Sequence, residues 1–96
     1  MNLRINRIEH RVWLDEKEIH LTPTEFELLW TCTSSPRRVF EREALIERAY
    51  DDQVHLSDRA IDSHIKGIRR KFQDVDPAAD PIETVHGVGY RARRIE

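Results

Sequence analysis

Ninety-six residues, 39% apolar and 35% charged, describe one soluble, surface-rich globular domain with a modest core and no room for a second. No run approaches the roughly 18 apolar residues of a membrane span, and the charged opening MNLRINRIEHRVW is not the apolar region of a signal peptide. The single cysteine, Cys32, excludes an internal disulfide and agrees with a reducing, cytoplasmic setting.

The net charge of −2 conceals strong segregation. Residues 1–56 carry −3, residues 57–72 carry +3, residues 73–85 carry −4 and residues 86–96 carry +2. Two basic islands separated by an acidic connector can converge in the fold, and a local positive surface steers polyanions whatever the total charge.

Along the chain, apolar residues first alternate with polar ones: Leu3 and Ile5, Val12 and Leu14, Ile19 and Leu21. Breaks at Glu9-His10 and Asp15-Glu16 make this a small antiparallel meander over residues 1–21. A helix then starts at Thr22-Pro-Thr-Glu25. Thr22 is its N-cap, Pro23 stands where a missing amide costs nothing, and Glu25 completes a capping box. Phe26, Leu29, Trp30 and Thr33 are expected on one face, and Ser34-Ser35-Pro36 ends the helix. After the connector Val39-Phe40, a second helix fits Arg42–Tyr50, with Leu45, Ile46 and Ala49 inward and Glu43 and Glu47 outward.

The third helix, SDRAIDSHIKGIRRKF over Ser57–Phe72, has two incompatible faces. Ile61, Ile65, Ile68 and Phe72 form one apolar stripe. At about 100° per residue, Arg59, Ser63, Lys66 and Arg70 fall opposite, with Arg69 on the flank. Ser57 can cap it, with Asp58 at the positive end of its dipole. Such a helix is anchored by one side and offers cations on the other, as a nucleic-acid groove requires; the alternative is a solvated surface helix. Asp74–Pro81, with two prolines, is expected to be an irregular connector. Two strand-like runs, Ile82–Val85 and Tyr90–Arg93, flank His86-Gly-Val-Gly89, whose glycines supply the positive φ angles of a hairpin tip. The expected fold is therefore α+β: an N-terminal antiparallel sheet (1–21), a three-helix bundle (22–73) and a C-terminal hairpin (82–95). This is a winged helix-turn-helix, whose third helix enters a major groove while the hairpin reaches the neighbouring minor groove or backbone.

The segments LTPTEFELL, VFEREALIERAY, SDRAIDSHIKGIRRKF and IETVHGVGYRARR resemble, in the same order, the effector domain of OmpR/PhoB-type two-component response regulators. The resemblance runs from about Ile19 to Arg93. It implies a four-stranded N-terminal sheet, three helices and a hairpin wing, and sequence-specific binding of double-stranded DNA in transcription regulation. By position, Arg59, His64 and Arg69 resemble residues that hold the phosphate backbone. Asp62 resembles one near base edges, where a carboxylate accepts from a cytosine amino group or orients a neighbouring arginine. Ala60, Ser63, Lys66, Gly67 and Arg70 occupy variable positions where sequence preference is set. Gly67 stands where arginine is frequent, so a base contact is missing there; its low helix propensity hints at a close backbone approach. His86 stands where many members insert an arginine into the minor groove, and an ordinary histidine is mostly uncharged near neutral pH. Arg91 and Arg93 share a strand face and are candidates for the adjacent backbone. Glu41 replaces the usual serine before the second helix.

The resemblance further implies that the loop containing Asp51, Asp52, Gln53 and His55 approaches RNA polymerase, against the alternative of a solvated loop. It implies tandem binding to direct repeats by a domain that is monomeric in isolation. No doubly wound βα pattern is present in these 96 residues, so a receiver domain and a cognate histidine kinase are partners only if the domain is part of a longer chain. The five histidines lack the spacing of a zinc site, and Asp58, Asp62 and His64 diverge around their helix. No metal, cofactor or enzymatic activity is expected. Trp13, Trp30 and Cys32 read as packing residues, and Tyr90 as the residue that packs the hairpin onto the third helix. The alternative function is a winged-helix module whose basic face docks an acidic protein.

Overall fold

A computed structural model describes residues 2–49 and 58–93, with the backbone alone at residues 49, 58 and 59. The meander forms as the alternation requires. Strands β1 (Leu3–Asn6), β2 (Arg11–Leu14) and β3 (Lys17–Ile19) pair antiparallel in chain order. Leu3 faces Leu14, Ile5 faces Val12, and Val12 faces Ile19, so one sheet face collects the apolar side chains. The turns are closed by His10 and Asp15, both at φ 55°, a left-handed conformation in which Asp and His are enriched. Asp15 ties its turn to the chain start by accepting from the Asn2 amide at 2.8 Å.

Three described strands, and not four, make this N-terminal sheet. The chain leaves it after Ile19 because the Thr22 capping box captures it into α1 (Pro23–Ser34). The Thr22 hydroxyl accepts from the Glu25 amide at 3.1 Å, and the Glu25 carboxylate accepts from the Thr22 amide at 2.9 Å. The inner face of α1 is rotated from the expected one. Phe26, Leu28, Leu29 and Cys32 are buried, whereas Trp30 and Thr33 are only half-buried. Because α1 packs against α2, α3 and the wing together, its buried arc is wider than a single amphipathic stripe.

Helix α2 (Arg42–Ala49) buries Leu45 and exposes Glu43 and Glu47. Helix α3 (Asp58–Val75) seats Ile61, Ile65, Ile68 and Phe72 in the common core, each at most 1% exposed. It runs to Val75, so Asp74 belongs to the helix and the connector starts at Asp76. Asp76 organises that connector by accepting from the Ala78 amide at 2.9 Å, and Ala79 plugs into the core.

Strands β4 (Ile82–Val85) and β5 (Gly89–Ala92) form the wing, with Thr84 opposite Tyr90 and a tip at His86–Val88. The two tip glycines have different causes. Gly87 adopts φ +79°. Gly89 is needed for a close approach: a Cβ there would lie 2.0 Å from the Phe40 carbonyl oxygen. Phe40 exchanges both backbone hydrogen bonds with Tyr90, at 2.7 and 2.9 Å, which ties the segment before α2 to the wing.

Candidate nucleic-acid interface

The core stripe of α3 dictates what its other side presents. With Ile61, Ile65 and Ile68 inward, Ser63, Lys66 and Arg70 are exposed on the opposite face. Ala60 and His64 are half-buried on the flank. The backbone of Arg59 lies in the first turn of the helix; its side chain, like the residues Asp51, Asp52, Gln53, His55 and Ser57, lies outside the described residues. The wing is joined to this helix through Thr84 and Tyr90 and ends in a tip with His86, Gly87 and Val88 exposed. Helix face and tip together offer donors and one exposed aliphatic side chain, and among the described residues Ser63, Lys66 and Arg70 sit together on one outward surface.

Four of the expected DNA residues make contacts within the molecule. Gly67 does not face outward: a Cβ at this position would lie 2.3 Å from Glu25 Oε2, so the close approach is to α1. Glu25 is buried yet charged. Burial alone pushes its carboxyl up, but contact with Lys71 Nζ and the hydrogen bonds from Thr22 outweigh it and hold the group below the usual carboxylate range. Arg69 has its guanidinium bound within the molecule. Its Nε and Nη2 donate to the Ile82 carbonyl at 3.2 and 2.7 Å, Nη2 also donates to the Thr84 hydroxyl at 2.7 Å, and Asp80 lies 3.4 Å away. Arg91 pairs with Glu83 across the hairpin at 3.0 Å. Arg93 follows β5 at the root of the wing, 3.7 Å from Asp80 and roughly 17 Å of strand from the tip.

Asp62 carries the most informative contacts. Its Oδ1 accepts from Arg42 Nε at 2.9 Å and from the Tyr90 hydroxyl, joining α2, α3 and β5. The Tyr90 hydroxyl, followed by the Arg42 guanidinium, holds the Asp62 carboxyl below its ordinary range. The reciprocal shift raises Tyr90, through burial first and the Asp62 contact second. Arg42 also leans over the Tyr90 ring, 5.4 Å from its centroid. Of the two expected partners of Asp62, a cytosine amino group or an arginine, the fold supplies an arginine: Arg42, 20 residues earlier, which no local spacing signals.

Away from this surface, Trp13 lies between Arg4 and Arg11, whose guanidinium carbons stand 4.5 and 4.8 Å from its ring, and Trp30 lies under Arg7 at 5.2 Å. Cys32 is buried, which pushes its thiol up to about 12. Among the described residues no cluster of three or more His, Cys, Asp or Glu side chains is arranged to hold a metal ion, and no helix is long and apolar enough to cross a membrane.

Residues 16–92 match the family model described as "Transcriptional regulatory protein, C terminal". Among curated proteins, the chain is 49% identical over 75 residues to the transcriptional regulatory protein BaeR of Escherichia coli, covering 78% of this chain and 31% of BaeR. It is 40% identical over 91 residues to the transcriptional regulatory protein SrrA of Staphylococcus aureus, covering 94% of this chain and 38% of SrrA. The chain thus spans about a third of the length of these relatives. Among solved structures, it superposes on the DNA-binding domain of the response regulator AdeR in complex with an intercistronic region. The TM-score there is 0.82 at 26% identity, covering 99% of this chain and 97% of that one. The DNA-binding domain of Bacillus subtilis CssR gives a TM-score of 0.78 at 26% identity, covering 96% of this chain and all of that one.

Proposed function

The chain belongs to the family of C-terminal domains of OmpR/PhoB-type transcriptional regulatory proteins, and from this premise we propose how it engages its target. The domain binds double-stranded DNA sequence-specifically and regulates transcription as a response-regulator effector domain. Helix α3 enters the major groove with Ser63, Lys66 and Arg70 toward bases and phosphates, joined by Arg59, while the His86–Val88 tip reaches the adjacent minor groove. The observation that carries this reading is the division of α3. Its four core residues are fully buried, and the opposite side, free of packing, bears cations beside an exposed hairpin tip.

The mode of action is binding without catalysis, in the cytoplasm. Further partners in this proposal are RNA polymerase, through the segment holding Asp51, Asp52, Gln53 and His55, and a receiver domain under a histidine kinase in a longer chain. Monomers assemble on tandem direct repeats.

A mobility-shift titration against fragments selected from genomic DNA tests the reading. Contacts to about five phosphates would weaken binding by roughly 10²–10³-fold between 50 and 200 mM salt. A complex that tolerates salt, or none at either concentration, would refute it and return the alternative of an acidic protein partner.

A further inference from the structure

Two sets of bonds join α3 to the wing, and both meet on one cross-strand pair. At one end the Tyr90 hydroxyl donates to Asp62, which Arg42 also holds. Seven residues later on the same side of the helix, Arg69 grips the Ile82 carbonyl and the Thr84 hydroxyl. Seven residues are about 10 Å of helix, and Thr84 and Tyr90 lie directly opposite each other in the hairpin. The Phe40–Tyr90 backbone pair holds the root of the wing, and two attachments about 10 Å apart along α3 fix its angle to that helix. Tyr90 is only 4% exposed, so its hydroxyl is closed to DNA. With two donors on Oδ1, that oxygen of Asp62 has no lone pair left for a base.

We propose that Asp62 is a positioning residue that, with Tyr90, Arg69 and Thr84, locks the recognition helix and the wing into one rigid body, so that the domain selects DNA by the offset between its major-groove site and its minor-groove flank. The proposal rests on the DNA-binding reading above and deepens it. A wing displaced by one base pair, about 3.4 Å of duplex, would exceed the tolerance of every bond in both attachments, because N–H···O hydrogen bonds span only about 2.7–3.2 Å. The specificity of such a domain therefore includes a distance as well as base identity.

The test measures dissociation constants by fluorescence anisotropy on a selected site with an AT-rich flank, and on the same site with one base pair inserted before the flank. Wild type, Tyr90→Phe, Thr84→Val and Asp62→Asn are compared, with thermal melts to establish that each is folded. Wild type should penalise the insertion. Tyr90→Phe and Thr84→Val, on separate attachments, should each narrow that penalty by roughly fivefold, as loss of a hydrogen bond to a charged group allows, while single-base preferences stay unchanged. Indifference of wild type to the insertion would overturn the proposal. So would a changed preference at one base pair in Asp62→Asn with the offset penalty intact in Tyr90→Phe, which would make Asp62 a base reader. Failure of wild type to bind any selected DNA would instead bring down the DNA-binding reading, and this inference with it.

Discussion

Replacing Gly67 with alanine should destabilise the domain, against the ordinary rule for a helix interior. Helix propensity alone favours alanine by about 0.8–1 kcal/mol. The added Cβ would stand 2.3 Å from Glu25 Oε2, where ordinary contact begins at 3.4 Å, so the carboxylate must retreat by about 1 Å. It is not free to do so. The same carboxylate accepts from the Thr22 amide at 2.9 Å and contacts Lys71, and its side chain is only 6% exposed. Losing the capping contact costs about 0.5–2 kcal/mol, and weakening a hydrogen bond between charged groups about 1.5–3 kcal/mol. Even half of these losses exceeds the propensity gain, so Gly67→Ala should lower stability by about 1 kcal/mol. In a Glu25→Ala background the obstacle is gone and the same substitution should stabilise by up to about 1 kcal/mol. Urea denaturation of the four proteins closes the cycle and gives the coupling directly. If Gly67→Ala raises stability in both backgrounds, Glu25 does not constrain the helix and the assignment of Gly67 to the α1 contact is wrong.

Stability should also fall in acid. Glu25 and Asp62 are both held below their ordinary values of 4.5 and 3.8, so their contribution is complete above those values and is lost as pH falls through the lower folded-state values. The urea midpoint should be level above about pH 5 and decline below it, less steeply in Glu25→Gln; an equal decline in that variant would exclude Glu25 as a cause. Cys32, with its thiol pushed up to about 12 by burial, should resist a thiol reagent at pH 8 until the domain unfolds, so labelling should follow the urea transition and not precede it. His86→Arg should tighten binding most at sites with AT-rich flanks, because a permanent charge at the exposed tip meets the narrow groove's negative potential. Equal effects on AT-rich and GC-rich flanks in a mobility-shift titration would remove the tip from the minor groove.

Much of this molecule is local in origin and so was legible in the residues alone. The capping box at Thr22 and Glu25 lies within four residues, and the period-two and period-3.6 apolar patterns identify the meander and the inner face of α3. The burial of Leu28 and Cys32 in place of Trp30 and Thr33 was not legible, because it follows from which three elements surround α1. The extra turn of α3 through Asp74 and Val75 escaped for a similar reason: a polar helix end is sustained by tertiary anchoring at Phe72, not by its own pattern.

The architecture and the cationic outer face of α3 are written in the order of residues, since periodicity and charge are properties of the chain in order. Which of those polar residues are left open to DNA depends on the packing of elements distant in the chain. Arg69 and Arg70 are adjacent and chemically identical, yet Arg70 is exposed and Arg69 is bound to the wing. Gly67 turned out to answer to a glutamate 42 residues earlier, and Asp62 to Arg42 and Tyr90. A hydrogen-bonding side chain takes the partner that the fold brings within about 3 Å, and sequence separation carries no information about that distance.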